Sequence, residues 1–500
     1  MTGILLSIHG VVWGVPMLIL ILGVGLRITV KTGFVQFRLF PAAIGEFVRR
    51  FRGRNHTDGV SSFRALCTAL GATVGTGNII GVAGAICLGG PGAIFWMWIC
   101  GIFAMGTKFA EAALAVCYRK KVGREYIGGP MYVITDGLDH RLRWLAPVYC
   151  VFGLIASFGV GNAAQVNAVI SGIRSVMEGW GREVSMRQEA AIGLILAVVV
   201  GSVLMGGAKK IGAAAELLVP FASLFYISLC AAVLFLRHDR IPDAFASIFQ
   251  SAFSPEAVTG GAVGSMFQSL RIGCSRGVFT NEAGMGTASI AHASADVSHP
   301  VQQGLMGIVE VFLDTIVLCT LTALVILVSG VPISFGTDGG GSVTLDAFSG
   351  VCGGWVSMAL AAALCCFAFA SVLGWGLYGT RCAQFLFGEQ AWEFFAAAQT
   401  AAVVLGAVLK TETIWLLSEL LNGLMDVPNL IALAALTPEL SRLTKEYIKN
   451  QGGNPAEGGN HADFHQCQPL RALSHEKVPS LRGGGGSAGK EDLSSEYRSA

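Results

Sequence analysis

Long apolar runs recur from one end of this 500-residue chain almost to the other, and nothing else in it constrains the fold as much. Each run of about 18 or more residues is long enough, as a helix, to cross a hydrocarbon core of about 30 Å. The backbone then has to satisfy its own hydrogen bonds, which leaves helices as the natural solution. Charged residues make up only 13% of the chain, about half the usual share of a soluble protein, and 53% are hydrophobic. A net charge of +2 carries no nucleic-acid footprint. The runs predict an all-α polytopic membrane protein with about eleven spans, at 8–26, 66–88, 93–117, 144–173, 190–208, 212–236, 262–291, 303–329, 354–387, 391–409 and 412–437. The first run lacks a basic leader and a small-residue cleavage site, so it reads as a retained helix.

Basic residues place the loops. Arg27, Lys31, Arg38, Arg49, Arg50, Arg52 and Arg54 follow the first span, and Arg119, Lys120, Lys121 and Arg124 follow the third. By the positive-inside rule these loops are cytoplasmic, so the N-terminus lies outside and the C-terminus inside the plasma (inner) membrane. From 439 to 500 the chain turns Gly-, Ser- and charge-rich and reads as a disordered tail. His461, His465, Cys467 and His475 lie there without the paired spacing of a metal site. Most cysteines sit inside apolar runs, without CxxC spacing, and read as small buried hydrophobes.

Two runs interrupt themselves. Residues 71–80, GATVGTGNII, crowd three glycines, two threonines and an asparagine into the second span. Each glycine lowers helix propensity by about 1 kcal/mol relative to alanine. An unwound turn in hydrocarbon would leave backbone groups unsatisfied at several kcal/mol each, so a break has to face protein, water or a ligand. Close helix packing through small residues is an equal reading of this segment alone. The second interruption, GCSRGVFTNEAGMGTA at 273–288, lies in the seventh span. Setting the first span aside, the two breaks head two sets of five helices, the pattern of a transporter built from inverted repeats. The domain reading is an extra helix at 1–30, a basic connection at 31–64, repeats at 65–237 and 260–438, and the tail. Half-helix N-termini suit a carboxylate, and freed carbonyls suit an ammonium group or a hard cation.

Other polar residues in the spans have plainer readings. Arg276 with Glu282, or a pair with Glu310 or Asp314, would make a structural ion pair. Lys108 and Glu111, near a span end, would snorkel and pair locally. One of Gln165 and Asn167 could face the centre, with helix–helix hydrogen bonding an equal reading, and Ser371 and Trp375 share a helix face one turn apart.

Five ordered motifs carry a family resemblance: ALGATVGTGNIIGVAGAI, KFAEAALAVCYR, GGPMYVI, RGVFTNEAGMGTA followed by AHA, and FAFASVLGWGLYG. Over residues 8–440 the chain resembles the alanine or glycine:cation symporters, the bacterial sodium:alanine symporters of the amino acid–polyamine–organocation superfamily. The resemblance implies the leucine-transporter fold of five-plus-five inverted repeats with one extra N-terminal helix. It also implies sodium-driven uptake of a small neutral amino acid, alanine or glycine, with no cofactor beyond the co-transported ion and no covalent catalysis. By motif, Thr76, Gly77 and Asn78 would receive the substrate carboxylate, and Phe279, Thr280 and Asn281 the amine, with Gln165 and Trp375 lining the pocket. Sodium would take the carbonyls of Gly71 and Val74 and the hydroxyl of Ser371, where a threonine is common in the superfamily. Thr280 replaces the serine of the usual FSNEAG, Thr380 stands where many relatives carry glutamate, and TAS at 287–289 lacks the usual proline. Proton-coupled symport and a membrane receptor without transport are the alternatives. A channel would need a continuous polar pore, and few spans show a polar stripe; an enzyme would need a nucleophile with its base or a metal cluster, and no HExxH sequence appears.

Overall fold

Helices make up nearly all of the computed structural model, which describes residues 10, 12–53, 60–123, 125–261, 263–337, 340–409 and 412–451. Eight helical segments are long and apolar enough to cross a membrane, or nine if the bent pair Ser62–Thr73 and Gly77–Gly89 counts as one span. The eleven expected spans include two segments outside that set. One is the 17-residue helix α1 (Val15–Lys31), and the other is the interrupted pair Met266–Asn281 and Thr287–Ala293.

In chain order, α1 is followed by α2 (Phe40–Arg52), α3 (Ser62–Thr73), a π turn at Gly77–Gly81 and α4 (Val82–Gly89). Then come α5 (Gly92–Cys117), a hairpin of β1 (Lys120–Val122) and β2 (Glu125–Ile127), and α6 (Pro130–Gly137). The first half ends with α7 (Leu145–Phe158), a π turn at Gly159–Ala163, α8 (Ala164–Gly179), α9 (Met186–Leu204) and α10 (Gly207–Leu236). The second half holds α11 (Ile241–Phe253), α12 (Met266–Asn281), α13 (Thr287–Ala293), α14 (Pro300–Val311), a π segment at Phe312–Cys319 and α15 (Thr320–Ser329). It closes with α16 (Gly340–Cys352), α17 (Trp355–Phe387), α18 (Ala391–Val408) and α19 (Glu412–Gln451).

Three departures from expectation have physical causes. The antiparallel pairing of Lys120 with Ile127 is an exception to an all-helical chain, in the polar, basic connection between α5 and α6. The basic connection folds into α2, whose Arg49 and Arg50 pair with Glu46 while Val48 and Phe51 stay exposed, the two-faced character of an interfacial helix. The tail does not begin at 439, because α19 runs on to Gln451. Leu440, Leu443 and Tyr447 are buried there, and Arg442 pairs with Glu439 and Glu446 on the same helix. The tail histidines and Cys467 lie outside the described residues.

Burial separates core from periphery. Helix α5 is mostly buried, whereas α9, α10 and α18 turn most of their residues outward. Leu194, Ile195, Val198, Leu217, Phe221 and Leu224 are exposed apolar side chains, as lipid contact requires. Cys67, Cys87, Cys100, Cys150, Cys230 and Cys319 are buried, as read from the sequence.

Candidate functional site

The first break opens where α3 ends. Val74 leaves the helix in an extended conformation (φ −75°, ψ 98°), and the two halves meet at a bend of 50°. Asn78 Oδ1 accepts the Gly75 N–H at 3.1 Å, so the asparagine satisfies a donor that the unwinding frees. Its Nδ2 donates to Asp314 Oδ1 at 2.7 Å, in the π segment after α14. Thr76 Oγ1 donates to Gln165 Oε1 at 3.4 Å, and Gln165 Nε2 donates to Val160 O at 3.2 Å. Val160 lies in a π turn, where a widened helix leaves its carbonyl available. Ser371 Oγ donates to Gly71 O at 3.0 Å, which places α17 beside the end of α3.

The second break begins at Glu282, a non-glycine residue in the left-handed region (φ 53°). Asn281 Oδ1 accepts the Ala283 N–H at 3.0 Å, and Asn281 Nδ2 donates to Thr315 Oγ1 at 3.0 Å. Each break therefore has its own asparagine serving a freed N–H. Glu282 accepts from the Thr287 hydroxyl at 2.5 Å and from Trp375 Nε1 at 3.0 Å. Trp375 is 1% exposed and packs so closely on Gly161 that a Cβ there would lie 2.3 Å from its own.

The two breaks touch. A Cβ added to Gly77 would sit 3.2 Å from Thr280 Cγ2 and 3.7 Å from Phe279 Cδ1. A Cβ on Gly75 would sit 2.8 Å from Ser371 Oγ and 3.5 Å from Gln165 Oε1. Thr76, Gly77, Asn78, Gln165, Phe279, Thr280, Asn281, Ser371 and Trp375 thus come from four helical regions to one level of the bundle. Gly71 joins them through Ser371 and Val74 follows at the end of α3, whereas Asn167 donates to Leu409 O at 3.3 Å.

Beneath the second break lies a buried polar network that the motifs did not disclose. Glu111 Oε1 accepts from the N–H groups of Gly284 (2.8 Å) and Gly286 (3.1 Å) and from Asn429 Nδ2 (2.8 Å). Lys108 is wholly buried instead of snorkelling, with Nζ 3.7 Å from Glu111 and 3.5 Å from Glu310. Glu310 meets His292 Nε2 at 2.7 Å, His292 Nδ1 meets Gln303 Nε2 at 2.7 Å, and Ser62 Oγ donates to Gln303 Oε1 at 2.6 Å. The chain of contacts runs from the start of α3 to the glycines of the second break. The expected pairings of Glu282, Glu310 and Asp314 with Arg276 give way to these partners. A carboxylate or lysine inside an apolar run was the available signal, and Asn429 and Gln303 had none. Among the described residues, no group of three or more His, Cys, Asp or Glu could hold a metal ion.

Residues 1–459 match the family model of the sodium:alanine symporter family. The chain belongs to that family. Among its relatives, this family member is 39% identical over 458 residues to the sodium/alanine symporter AgcS of Methanococcus maripaludis, an alignment covering 90% of this chain and 98% of the relative. It is 40% identical over 452 residues to an uncharacterized transporter of Haemophilus influenzae, covering 89% and 96%. Its fold resembles the crystal structure of MhsT in complex with L-phenylalanine at a TM-score of 0.51 and 14% identity, covering 79% of this chain and 99% of that one. That likeness places the chain in the leucine-transporter fold, as the family resemblance implied. This sodium:alanine symporter family member is a multi-pass membrane transporter, and its activity is amino-acid symport.

Proposed function

We propose that this symporter carries a small neutral amino acid, alanine or glycine, into the cell together with sodium, by alternating access. The observation that carries the reading is the meeting of the two breaks, Gly77 against Thr280 and Phe279. The substrate carboxylate lies on the N–H groups and hydroxyl of Thr76, Gly77 and Asn78, at the start of the π turn that leads into α4, where the helix dipole is positive. The amine faces the carbonyls of Phe279 and Thr280 with Asn281 beside them, at the C-terminal end of α12. Gln165 positions Thr76, and Trp375 braces the second break. Close packing around Gly75 and Gly77 favours a substrate with a side chain no larger than a methyl group.

Sodium takes the carbonyls of Gly71 and Val74 and the hydroxyl of Ser371, all neutral oxygens of the kind a hard cation prefers. Ser371 Oγ and Gly71 O already lie 3.0 Å apart, side by side, as two ligands of one ion would. Ion binding then draws α17 and α3 together, which couples the cation to the geometry of the first break. The basic connection and α2 face the cytoplasm, with the N-terminus outside. The test is uptake of labelled L-alanine into proteoliposomes at clamped pH, with an inward sodium gradient against a potassium-only control. Accumulation only with sodium supports the reading. Equal accumulation without sodium, driven by a proton gradient, overturns the sodium assignment.

A further inference from the structure

The C-terminal ends of α1 and α19 meet at one edge of the bundle, away from both breaks. Gly33 (φ 67°) and Phe34 (φ 57°) are consecutive left-handed residues, so the chain reverses sharply after α1. The Phe34 N–H donates to Thr29 O at 2.7 Å, and Thr32 Oγ1 donates to Ile28 O at 2.8 Å. Ser441 Oγ of α19 donates to Lys31 O at 2.7 Å, which pins the reversal to the last helix. A Cβ on Gly33 would lie 2.8 Å from an Arg38 Nη atom, so this glycine makes room for the guanidinium to fold back over the turn.

A cavity of about 480 Å³ opens between these segments, lined by Lys31, Arg38, Lys445 and Lys449 and by no carboxylate. Lys445 and Lys449 follow Ser441 at four-residue steps and so share its face of α19. Among the described residues none of the four takes part in an ion pair, although Arg442 on the same helix pairs with Glu439 and Glu446. Like charges converging on one space repel unless an anion joins them. The cavity also has an apolar side. Val30 and Ile448 line it, and Ile19, Leu26 and Val30 form an exposed strip along one face of α1 that ends where Lys31 begins. Cationic head and apolar strip together match an amphiphile standing at the membrane surface.

We propose that this pocket binds the phosphate headgroup of an anionic phospholipid, whose acyl chain lies along Ile19, Leu26 and Val30. Guanidinium and ammonium groups make short charge-assisted hydrogen bonds to phosphate oxygens. A zwitterionic headgroup carries its own cation and gains less from four basic side chains. A bound lipid would tie α1, the helix outside the two repeats, to α19, the last helix of the second.

The test uses the full chain in nanodiscs of phosphatidylcholine with a small fixed fraction of phosphatidylglycerol, followed by native mass spectrometry of the released complex. The wild type should retain phosphatidylglycerol in preference to phosphatidylcholine. Lys445→Ala should weaken retention about fivefold, the contribution of one basic side chain near a membrane surface. The triple variant Arg38→Ala/Lys445→Ala/Lys449→Ala should lose the preference, and Lys120→Ala, which removes a basic residue paired with Asp136, should keep it. The melting temperature in phosphatidylcholine alone checks the triple variant's fold; if it falls, the single variant Lys449→Ala, at an exposed position, decides. Equal retention by wild type and variants overturns the proposal. Displacement of the lipid by soluble glycerol phosphate at the lipid's own concentration would also overturn it, as the mark of a pocket for any phosphate anion.

Discussion

Asn78 Nδ2 donates to Asp314 Oδ1 across 2.7 Å, joining the first break to the helix that follows the second. The same asparagine accepts the Gly75 N–H, and Asp314 accepts from Thr315, which in turn accepts from Asn281. The asparagines of the two breaks are therefore connected through one buried carboxylate. In a low-dielectric interior such a chain holds its members in one arrangement, since an unpaired member would be costly.

Asn78→Asp replaces the donor with a second carboxylate against Asp314, and uptake should be lost. The exchanged pair Asn78→Asp/Asp314→Asn restores one donor and one acceptor, and should recover part of the rate, with a coupling of about 0.5–3 kcal/mol. Initial rates of alanine uptake for the four members of the cycle measure it. A double variant no better than Asn78→Asp would show that this contact does not link the breaks.

Gly75→Ala places a methyl group 2.8 Å from Ser371 Oγ and should push the hydroxyl off Gly71 O. With Ser371 as a sodium ligand, the half-saturating sodium concentration should rise by about an order of magnitude, ~1.4 kcal/mol. Gly81→Ala is the control, because a Cβ there meets nothing within 4 Å. Sodium titrations of uptake compare the two, and an unchanged titration in Gly75→Ala would remove Ser371 from the ion site.

Lys108→Met leaves Glu111 and Glu310 facing each other with no cation between them. Removing one partner of a buried ion pair costs about 3–5 kcal/mol, so the melting temperature in detergent should fall sharply. Lys108→Met/Glu310→Gln should lose less, since one uncompensated charge is gone. If the single variant melts with the wild type, the lysine carries no structural charge pairing.

The paired interruptions were legible because helix-breaking residues are out of place in an apolar run, whatever surrounds them. Asn78 stood out for the same reason, and Asp314 as a charge in an apolar run, but their pairing with each other did not, since nothing local relates positions so far apart in the chain. Lys108 was misplaced for a different reason. Its position near the end of a run suggested a snorkelling side chain, yet Gly304 and Gly307 of α14 bring that helix against α5 at Lys108 and Phe109. A Cβ on Gly307 would lie 2.8 Å from the Lys108 carbonyl. Helices α11 and α16 escaped notice altogether, because 13 residues are too few to span a bilayer and their faces are set by the bundle they cap.

By itself the sequence determined that this chain is a bundle of membrane helices, broken twice at matching places, because apolar length and glycine crowding act through the backbone wherever they occur. Only the tertiary structure decided which side chains hydrogen-bond or pair their charges. The glycines let α5, α14 and α17 approach the breaks closely, and that approach sets both the depth of Lys108 and the partners of Asn78, Glu282 and Glu111. Hydrogen bonds and ion pairs depend on separations of a few ångströms between helices, and no single helix carries that information.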